Sequence, residues 1–280
     1  MSETQHDSDN YCYRHPDRQS YILCQRCGRT ICPECSTQAA VGVHCPECVR
    51  EARQSAPRRK PRLVTAFRRS SDRPVVTYSL IGINLVAFAL QWLINPLFFQ
   101  LFAFAPFFAP SEPWRMLTSI FLHSQASIFH ILFNMYSLFV FGPAIESAVG
   151  RIRFLVLYLF AGFGGSLAVL ALGAADGGVI GASGAIFGLL GAYFVIARRM
   201  GGNTTQLLIV IGLNLAIGFF VPNIAWEAHI GGLIVGGAVA FTYLQLRRRD
   251  QTRAQVAALV GLGVVLIAIT VIISVVRGFA

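Results

Sequence analysis

"GASGAIFGLL", residues 181–190, places a hydroxyl at the head of a run that is otherwise hydrocarbon. Ser183 stands between Gly181 and Gly184, after a short Gly-rich stretch, "GAADGGVIG", at 173–181. Downstream the apolar run ends at Arg198 and Arg199. A helix from 183 to 198 would rise about 24 Å at 1.5 Å per residue, short of a hydrocarbon core about 30 Å thick. With the arginines at one membrane surface, Ser183 falls below the other, and the loop before it must dip inward. Irregular backbone at that depth is tolerated only when it is buried in protein or lines a wet cavity. The stretch therefore predicts a water-accessible pocket with a serine at a helix N-terminus. Serine is also a preferred helix cap, so these ten residues alone leave a capping and a reactive hydroxyl both open.

The surrounding chain supports the membrane setting. Of 280 residues, 55% are hydrophobic and only 13% charged, about half the charge of a soluble domain. Mean hydropathy is +0.59. Beyond residue 73 the acids are just Glu112, Glu146, Asp176, Glu227 and Asp250. Seven apolar spans follow, near 75–94, 123–142, 152–172, 183–198, 205–221, 226–246 and 255–276. The expected class is an all-α polytopic membrane protein with a small N-terminal module. The expected segments are a zinc-binding module at 1–50, a basic cytoplasmic tether at 51–73, a six-helix core at 74–250 and a seventh membrane helix at 251–280. The first twenty residues are polar, which predicts no cleavable signal peptide.

Lys and Arg set the expected topology. With a cytoplasmic N-terminus, fifteen of them from Arg58 onward fall on the inner side, against Arg115 and Arg277 outside. That asymmetry follows the positive-inside rule and places the C-terminus outside, in what is expected to be a bacterial plasma membrane. The net charge of +10 is concentrated next to the membrane. Orientation and contact with anionic lipid account for it, and no nucleic-acid partner is expected.

All seven cysteines lie between Cys12 and Cys48. With His15 they form four pairs at two-residue spacing: Cys12–His15, Cys24–Cys27, Cys32–Cys35 and Cys45–Cys48. Each pair lets one turn present two soft ligands to a tetrahedral ion, so the eight predict two structural zinc ions. His44 is the alternative to Cys45. A disulfide framework is disfavoured by the odd cysteine count and the expected cytoplasmic side. Four protein ligands per ion leave no open position for substrate, so the zinc is structural and catalysis is expected to need no cofactor. The interleaved order resembles B-box-type and other cross-brace modules, which implies pairs one and three on one ion and pairs two and four on the other.

Two further spans offer polar groups at the depth of Ser183. In "EAHIGGLIVGGAVAF", 227–241, His229 is alone among apolar residues and shares a helical face with Gly232, Gly236 and Ala240. The Ser183 helix has its own small face at Gly184, Gly188 and Gly191. Small faces permit close helix approach, and an intramembrane histidine is a functional candidate by default. In "FLHSQASIFHILFNM", 121–135, His130 and Asn134 are four apart and so on one face. Both can donate hydrogen bonds, as an oxyanion requires. They could equally satisfy buried carbonyls.

Taken together, these motifs resemble the rhomboid family of intramembrane serine proteases. The resemblance runs over about 75–246. It rests on Trp114–Arg115, His130 with Asn134, Gly181–Ser183–Gly184, Ala228–His229 with Gly232, and Glu146, Gly150, Arg153 and Phe154. It implies a rhomboid-like six-helix core plus one C-terminal helix. It also implies a Ser183–His229 dyad that cleaves transmembrane-protein substrates, with His130, Asn134 and the Ser183 backbone N–H as oxyanion donors. The family's tyrosine four residues after the serine is Phe187 here, which keeps the stacking face and loses the hydroxyl. Glu227, two positions from His229, would point away on a helix, and Asp176 in the loop before Ser183 is a remote alternative, so a dyad is expected. Glu146 and Arg115 fall on opposite membrane sides and should not pair. Beside the protease stand an inactive rhomboid-like binding or scaffold protein and a transporter with a broken helix. The transporter would be expected to show paired acids or a repeat. A cytoplasmic protein partner is expected for the zinc module.

Overall fold

The computed structural model describes residues 10–39, 41–55, 73–94, 97–221 and 224–279. It divides into two compact units, one within residues 1–60 and one within 61–280. Most of the expected tether, residues 56–72, lies outside the described residues.

The small unit is built from short pieces. Strands β1 (Tyr11–Cys12) and β2 (His15–Gln19) pair antiparallel, with Cys12 opposite His15. Strands β3 (Thr37–Gln38) and β4 (Val43–His44) form a second hairpin, and helix α1 (Pro46–Ser55) follows. Its buried core is Ile31 and six of the cysteines. So little apolar surface cannot hold a fold of this size without a cross-link or a metal.

The large unit is a helical bundle, and the chain is a multi-pass membrane protein. Its helices are α2 (Val75–Leu93), α3 (Leu97–Phe102), α4 (Arg115–Thr118), α5 (Ile128–Val149) and α6 (Arg151–Leu172), then α7 (Ser183–Arg199), α8 (Thr205–Phe220), α9 (Trp226–Gln245) and α10 (Thr252–Val276). Each of the seven expected spans is a helix. Five of them, α2, α5, α6, α9 and α10, are long and apolar enough to cross a membrane; α7 and α8 are shorter, at 17 and 16 residues. The span expected from 123 becomes helical only at Ile128. The reason is Gln91 on α2, whose Nε2 donates to the His123 carbonyl at 2.9 Å and whose Oε1 accepts from the His123 N–H at 2.9 Å. With both backbone groups satisfied by one side chain, this peptide has no need of a helix.

Helices α6, α7 and α9 form the centre, and glycine sets their spacing. On α7 and α9, Gly232 abuts the Gly184 carbonyl and Gly236 abuts the backbone of Gly188. On α6 and α9, Gly231 faces the Gly164 carbonyl. Gly165 of α6 lies against both Gly184 and the Ala228 carbonyl. These are backbone-to-backbone contacts, the small-residue packing that lipid-embedded helices use in place of a hydrophobic drive. Glu146 of α5 ties in α2: its carboxylate accepts from the N–H of Val76 (3.0 Å), the N–H of Thr77 (2.7 Å) and Thr77 Oγ1 (2.6 Å). A negative charge there meets the positive end of the helix dipole and the N–H groups a helix leaves unpaired. Gly142, one turn earlier, leaves room for the Thr77 side chain.

Substituting these glycines should separate into two classes. Gly232→Val must push α9 off α7 and should lower stability in detergent by about 1–3 kcal/mol or more. Gly82→Ala, where nothing lies within 4 Å of the added methyl, should be neutral or stabilising by about 0.5–1 kcal/mol. Thermal unfolding of the two purified variants measures the difference.

Candidate active site and metal clusters

Ser183 is the first residue of α7, and the cap position belongs to Ala182, which makes no side-chain cap hydrogen bond. The capping alternative for Ser183 is therefore not the one the chain adopts. As first helical residue, its N–H is one of the groups with no partner inside the helix. Gly181 and Ala182 are buried and Ser183 is half-buried. The loop before it is held by both ends of a backbone pair, Phe104 N–H to Val179 O (3.3 Å) and Val179 N–H to Phe104 O (2.7 Å), and by Gly181 N–H to Ser119 O at 3.0 Å. Gly181 takes φ +122°, open in practice only to glycine.

That backbone turn brings the predicted donors together. A Cβ at Gly181 would lie 2.7 Å from His130 Nε2 and 3.8 Å from Asn134 Nδ2. Both nitrogens thus converge on one point two residues before the hydroxyl. The Ser124 N–H donates to His130 Nδ1 at 3.2 Å. An accepting Nδ1 in a neutral imidazole leaves the proton on Nε2, so the nitrogen beside Gly181 is a donor. Asn134 Nδ2 also donates to the His130 carbonyl at 2.9 Å, which fixes the amide and leaves its second N–H available.

His229 lies in the first turn of α9 and is 7% exposed. Its ring stacks on Phe187, with centroids 4.1 Å apart and planes 6° from parallel. Phe187 is four residues after Ser183 and so on the same face of α7. The stack therefore sets the imidazole against the face that carries the hydroxyl. His229 Nδ1 is buried without a hydrogen-bond partner, so no carboxylate orients the ring among the described residues. Asp176 is exposed and Glu227 half-buried.

Near this end Arg115 is part of the resemblance, while His123 and Gln91 were not anticipated. Arg115 is 4% exposed. Its Nη2 pairs with Glu112 at 2.5 Å, its Nε donates to the same carboxylate at 2.6 Å, and its Nη1 donates to the carbonyls of Ala103 (3.0 Å) and Gln100. It braces the bend at 100–103 and, as expected, does not meet Glu146. His123 is fully buried with neither ring nitrogen hydrogen-bonded, its ring 5.2 Å from that of His130. A lone polar residue late in an apolar span was the available signal for Gln91.

The metal ligands fall into two clusters, Cys12–His15–Cys32–Cys35 and Cys24–Cys27–Cys45–Cys48, each with ligand atoms within 4.8 Å of one another. The interleaved pairing is the one the cross-brace resemblance implies, and His44 belongs to neither cluster. Such crowded thiols titrate apart. The Arg29 side chain, donating to Cys27 Sγ at 3.3 Å, holds that thiol down at about 6. Burial pushes Cys35 up to about 11 and Cys48 up to about 12. Four thiolate or imidazole donors at this spacing fit a tetrahedral soft cation.

A family model described as the Rhomboid domain matches residues 110–246. YdcA of Bacillus subtilis (strain 168) is 36% identical over 146 residues, covering 50% of this chain and 72% of that protein. The rhomboid protease GluP of the same organism is 44% identical over 133 residues, covering 46% of this chain and 25% of GluP. RHOMBOID-like protein 1 of Arabidopsis thaliana is 40% identical over 141 residues, covering 48% of this chain and 35% of that protein. The last two are thus matched over 35% of their length or less. The chain belongs to the rhomboid family.

The clusters make a metal prediction with a definite sign. In the metal-free unit Cys35 and Cys48 are protonated at neutral pH, and only the deprotonated thiol binds a cation. Zinc binding should therefore release protons and tighten as pH rises from 6 to 8. Metal analysis should find two zinc ions per chain, and Cys35→Ser and Cys48→Ser should each lower that content. A competition titration with a chromogenic chelator at several pH values measures the slope.

Proposed function

We propose that the chain is an intramembrane serine endopeptidase cleaving transmembrane-protein substrates within or near the outer leaflet, with Ser183 as nucleophile and His229 as general base. The observation that carries this is the stacking of His229 on Phe187 beneath a Ser183 that caps nothing. His229 takes the Ser183 proton as Oγ attacks the scissile carbonyl, and returns it to the leaving amine. The oxyanion forms beside Gly181, where His130 Nε2–H, Asn134 Nδ2–H and the Ser183 N–H can donate to it. Water entering by the loop at 173–182 hydrolyses the acyl-enzyme through the same base. Its rhomboid membership and a relative named as a protease support this reading.

In this reading the N-terminus and the basic tether are cytoplasmic, the C-terminus lies outside, and the membrane is a bacterial plasma membrane. The two clusters hold structural zinc, and the zinc module meets a cytoplasmic protein partner or a substrate's cytoplasmic tail. Four protein ligands per ion leave no open position for substrate, so in this reading zinc is not a catalytic cofactor. The segments are a zinc module at 1–50, a tether at 51–73, the protease core at 74–250 and a seventh helix at 251–280.

Ser183→Ala and His229→Ala should each abolish cleavage of a transmembrane substrate, and Ser183→Ala should abolish fluorophosphonate labelling, with the fold intact in detergent. Robust proteolysis by either variant would overturn the dyad; folded wild type that never labels would favour the inactive scaffold. His130→Ala or Asn134→Ala should cost about 2.7–4 kcal/mol of transition-state stabilisation, read as lost kcat with little change in KM. Gly181→Ala should do the same, since its methyl would meet His130 Nε2 on a backbone with positive φ.

A further inference from the structure

We infer that Arg277, on the seventh membrane helix, is a positioning residue that clamps the start of the loop leading to Ser183. Arg277 Nη1 donates to the Leu170 carbonyl at 2.7 Å and to the Gly173 carbonyl at 2.9 Å. Leu170 is in the last turn of α6 and Gly173 is its C-cap. These are carbonyls that a helix end leaves without partners, and a cation there also meets the negative end of the helix dipole. Gly173 opens the segment 173–182 that carries Gly181 and delivers Ser183.

Four anchors then fix that segment along its length. Arg277 holds it at Gly173, Phe107 at Ala175, Phe104 at Val179, and Ser119 at Gly181. Arg277 is the anchor that comes from after the family match, at the end of a helix the match does not include. Helix α10 is otherwise loosely attached, with 11% of its apolar window buried. Its polar ties to α6 sit at its two ends. At one end Arg153 Nε donates to Gln255 Oε1 at 2.8 Å; at the other is Arg277. The guanidinium is also placed by the Phe279 ring, 5.0 Å from its centroid, and Phe279 N–H returns to the Ser274 carbonyl at 2.9 Å. A helix that faces lipid along most of its length thus ends in a side chain directed at the entry to the candidate site.

Arg115 gives a parallel. Arg115 and Arg277 are the two basic residues expected on the outer side, and both donate to backbone carbonyls that border this loop system. Their role there is to satisfy backbone at a helix end and a bent loop, which explains why they stand against the charge asymmetry of the chain.

The consequence for turnover rests on the Ser183 reading; the clamp itself does not. Arg277→Met keeps the apolar stem and removes the donor, and Arg277→Lys restores a cation. Hydrogen exchange on the full chain in detergent should show faster exchange at the amides of Gly177, Val179 and Gly181 in Arg277→Met, with partial return toward wild type in Arg277→Lys. Per site titrated by fluorophosphonate, Arg277→Met should lose about ten- to a hundredfold in kcat, as an ångström-scale misplacement of reacting groups does, with KM little changed. Unaltered exchange in the loop would overturn the clamp. Faster exchange with wild-type kcat per titrated site would show a clamp without a positioning role and would also overturn the inference. If Ser183→Ala still cleaved, the dyad would fall while the exchange result still decided the clamp.

Discussion

Everything in the membrane unit depends on how closely α7 and α9 approach. Their contact is made by backbone, with Gly232 on Gly184 and Gly236 on Gly188. At these two points no side chain intervenes, and Phe187 of α7 stacks on His229 of α9 near them, so the first turns of the two helices are locked to one another in both depth and rotation. Ser183 and His229 sit in those first turns. The glycines thus do more than permit packing, because any larger residue would move a hydroxyl relative to an imidazole. Helix α6 enters the same contact through Gly164 and Gly165, and its far end launches the loop back to Ser183. One packing constraint therefore fixes the helix of Ser183, the helix of His229 and the start of the loop that leads to Ser183.

The buried polar groups around this core divide into two kinds. Most are matched to backbone. Glu146 closes the N-terminus of α2, Gln91 satisfies both backbone groups of His123, and Arg115 fills the bend at 100–103. Ser166 donates to Met116 O at 2.7 Å and Tyr243 to Arg153 O at 3.0 Å. A buried polar group left unpaired costs stability, and these pairings remove that cost where helices end and loops bend. His229 Nδ1 and both nitrogens of His123 remain unpaired, and Ser183 takes no capping role. Asn84 Oδ1, the Tyr158 hydroxyl and Ser274 Oγ are buried without a hydrogen-bond partner as well; the two histidines are the ones whose rings lie beside His130 and Phe187.

The helices were legible because lipid demands uninterrupted apolar runs, and each of the seven became one. The two Cys/His clusters were legible too, since two-residue spacing is a local signal that survives any arrangement of the hairpins. The convergence of His130 and Asn134 on Gly181 was readable only as a shared helical face. Its other half, the positive φ of Gly181, depends on the loop being pinned by Phe104 and Ser119 from elsewhere in the chain. The partners of Glu146 and Arg115 were hidden for a related reason. Glu146 bonds to the N–H groups of Val76 and Thr77, and Arg115 adds two backbone carbonyls to its pairing with Glu112; every residue type offers such backbone groups, so no pattern of side chains marks them. The late helix start at Ile128 has the same origin, because a single distant glutamine removes the need for helical hydrogen bonds at 123.

In the proposed dyad, the arrangement of His229 would let two residues serve where three are common. A base must present one ring nitrogen in one orientation, and a carboxylate on the other nitrogen usually provides this. Here that nitrogen is buried and unbonded, so orientation has to come from the ring's faces. A near-parallel stack at 4.1 Å on Phe187 supplies it, and Phe187 is itself 6% exposed and held in the core. Stacking constrains tilt without adding charge. It therefore leaves the imidazole free to gain a proton during attack and lose it again, whereas a buried carboxylate would favour the charged form throughout. A phenyl ring does this as well as a phenol, so the residue at 187 needs its face and its place one turn below Ser183 more than it needs a hydroxyl.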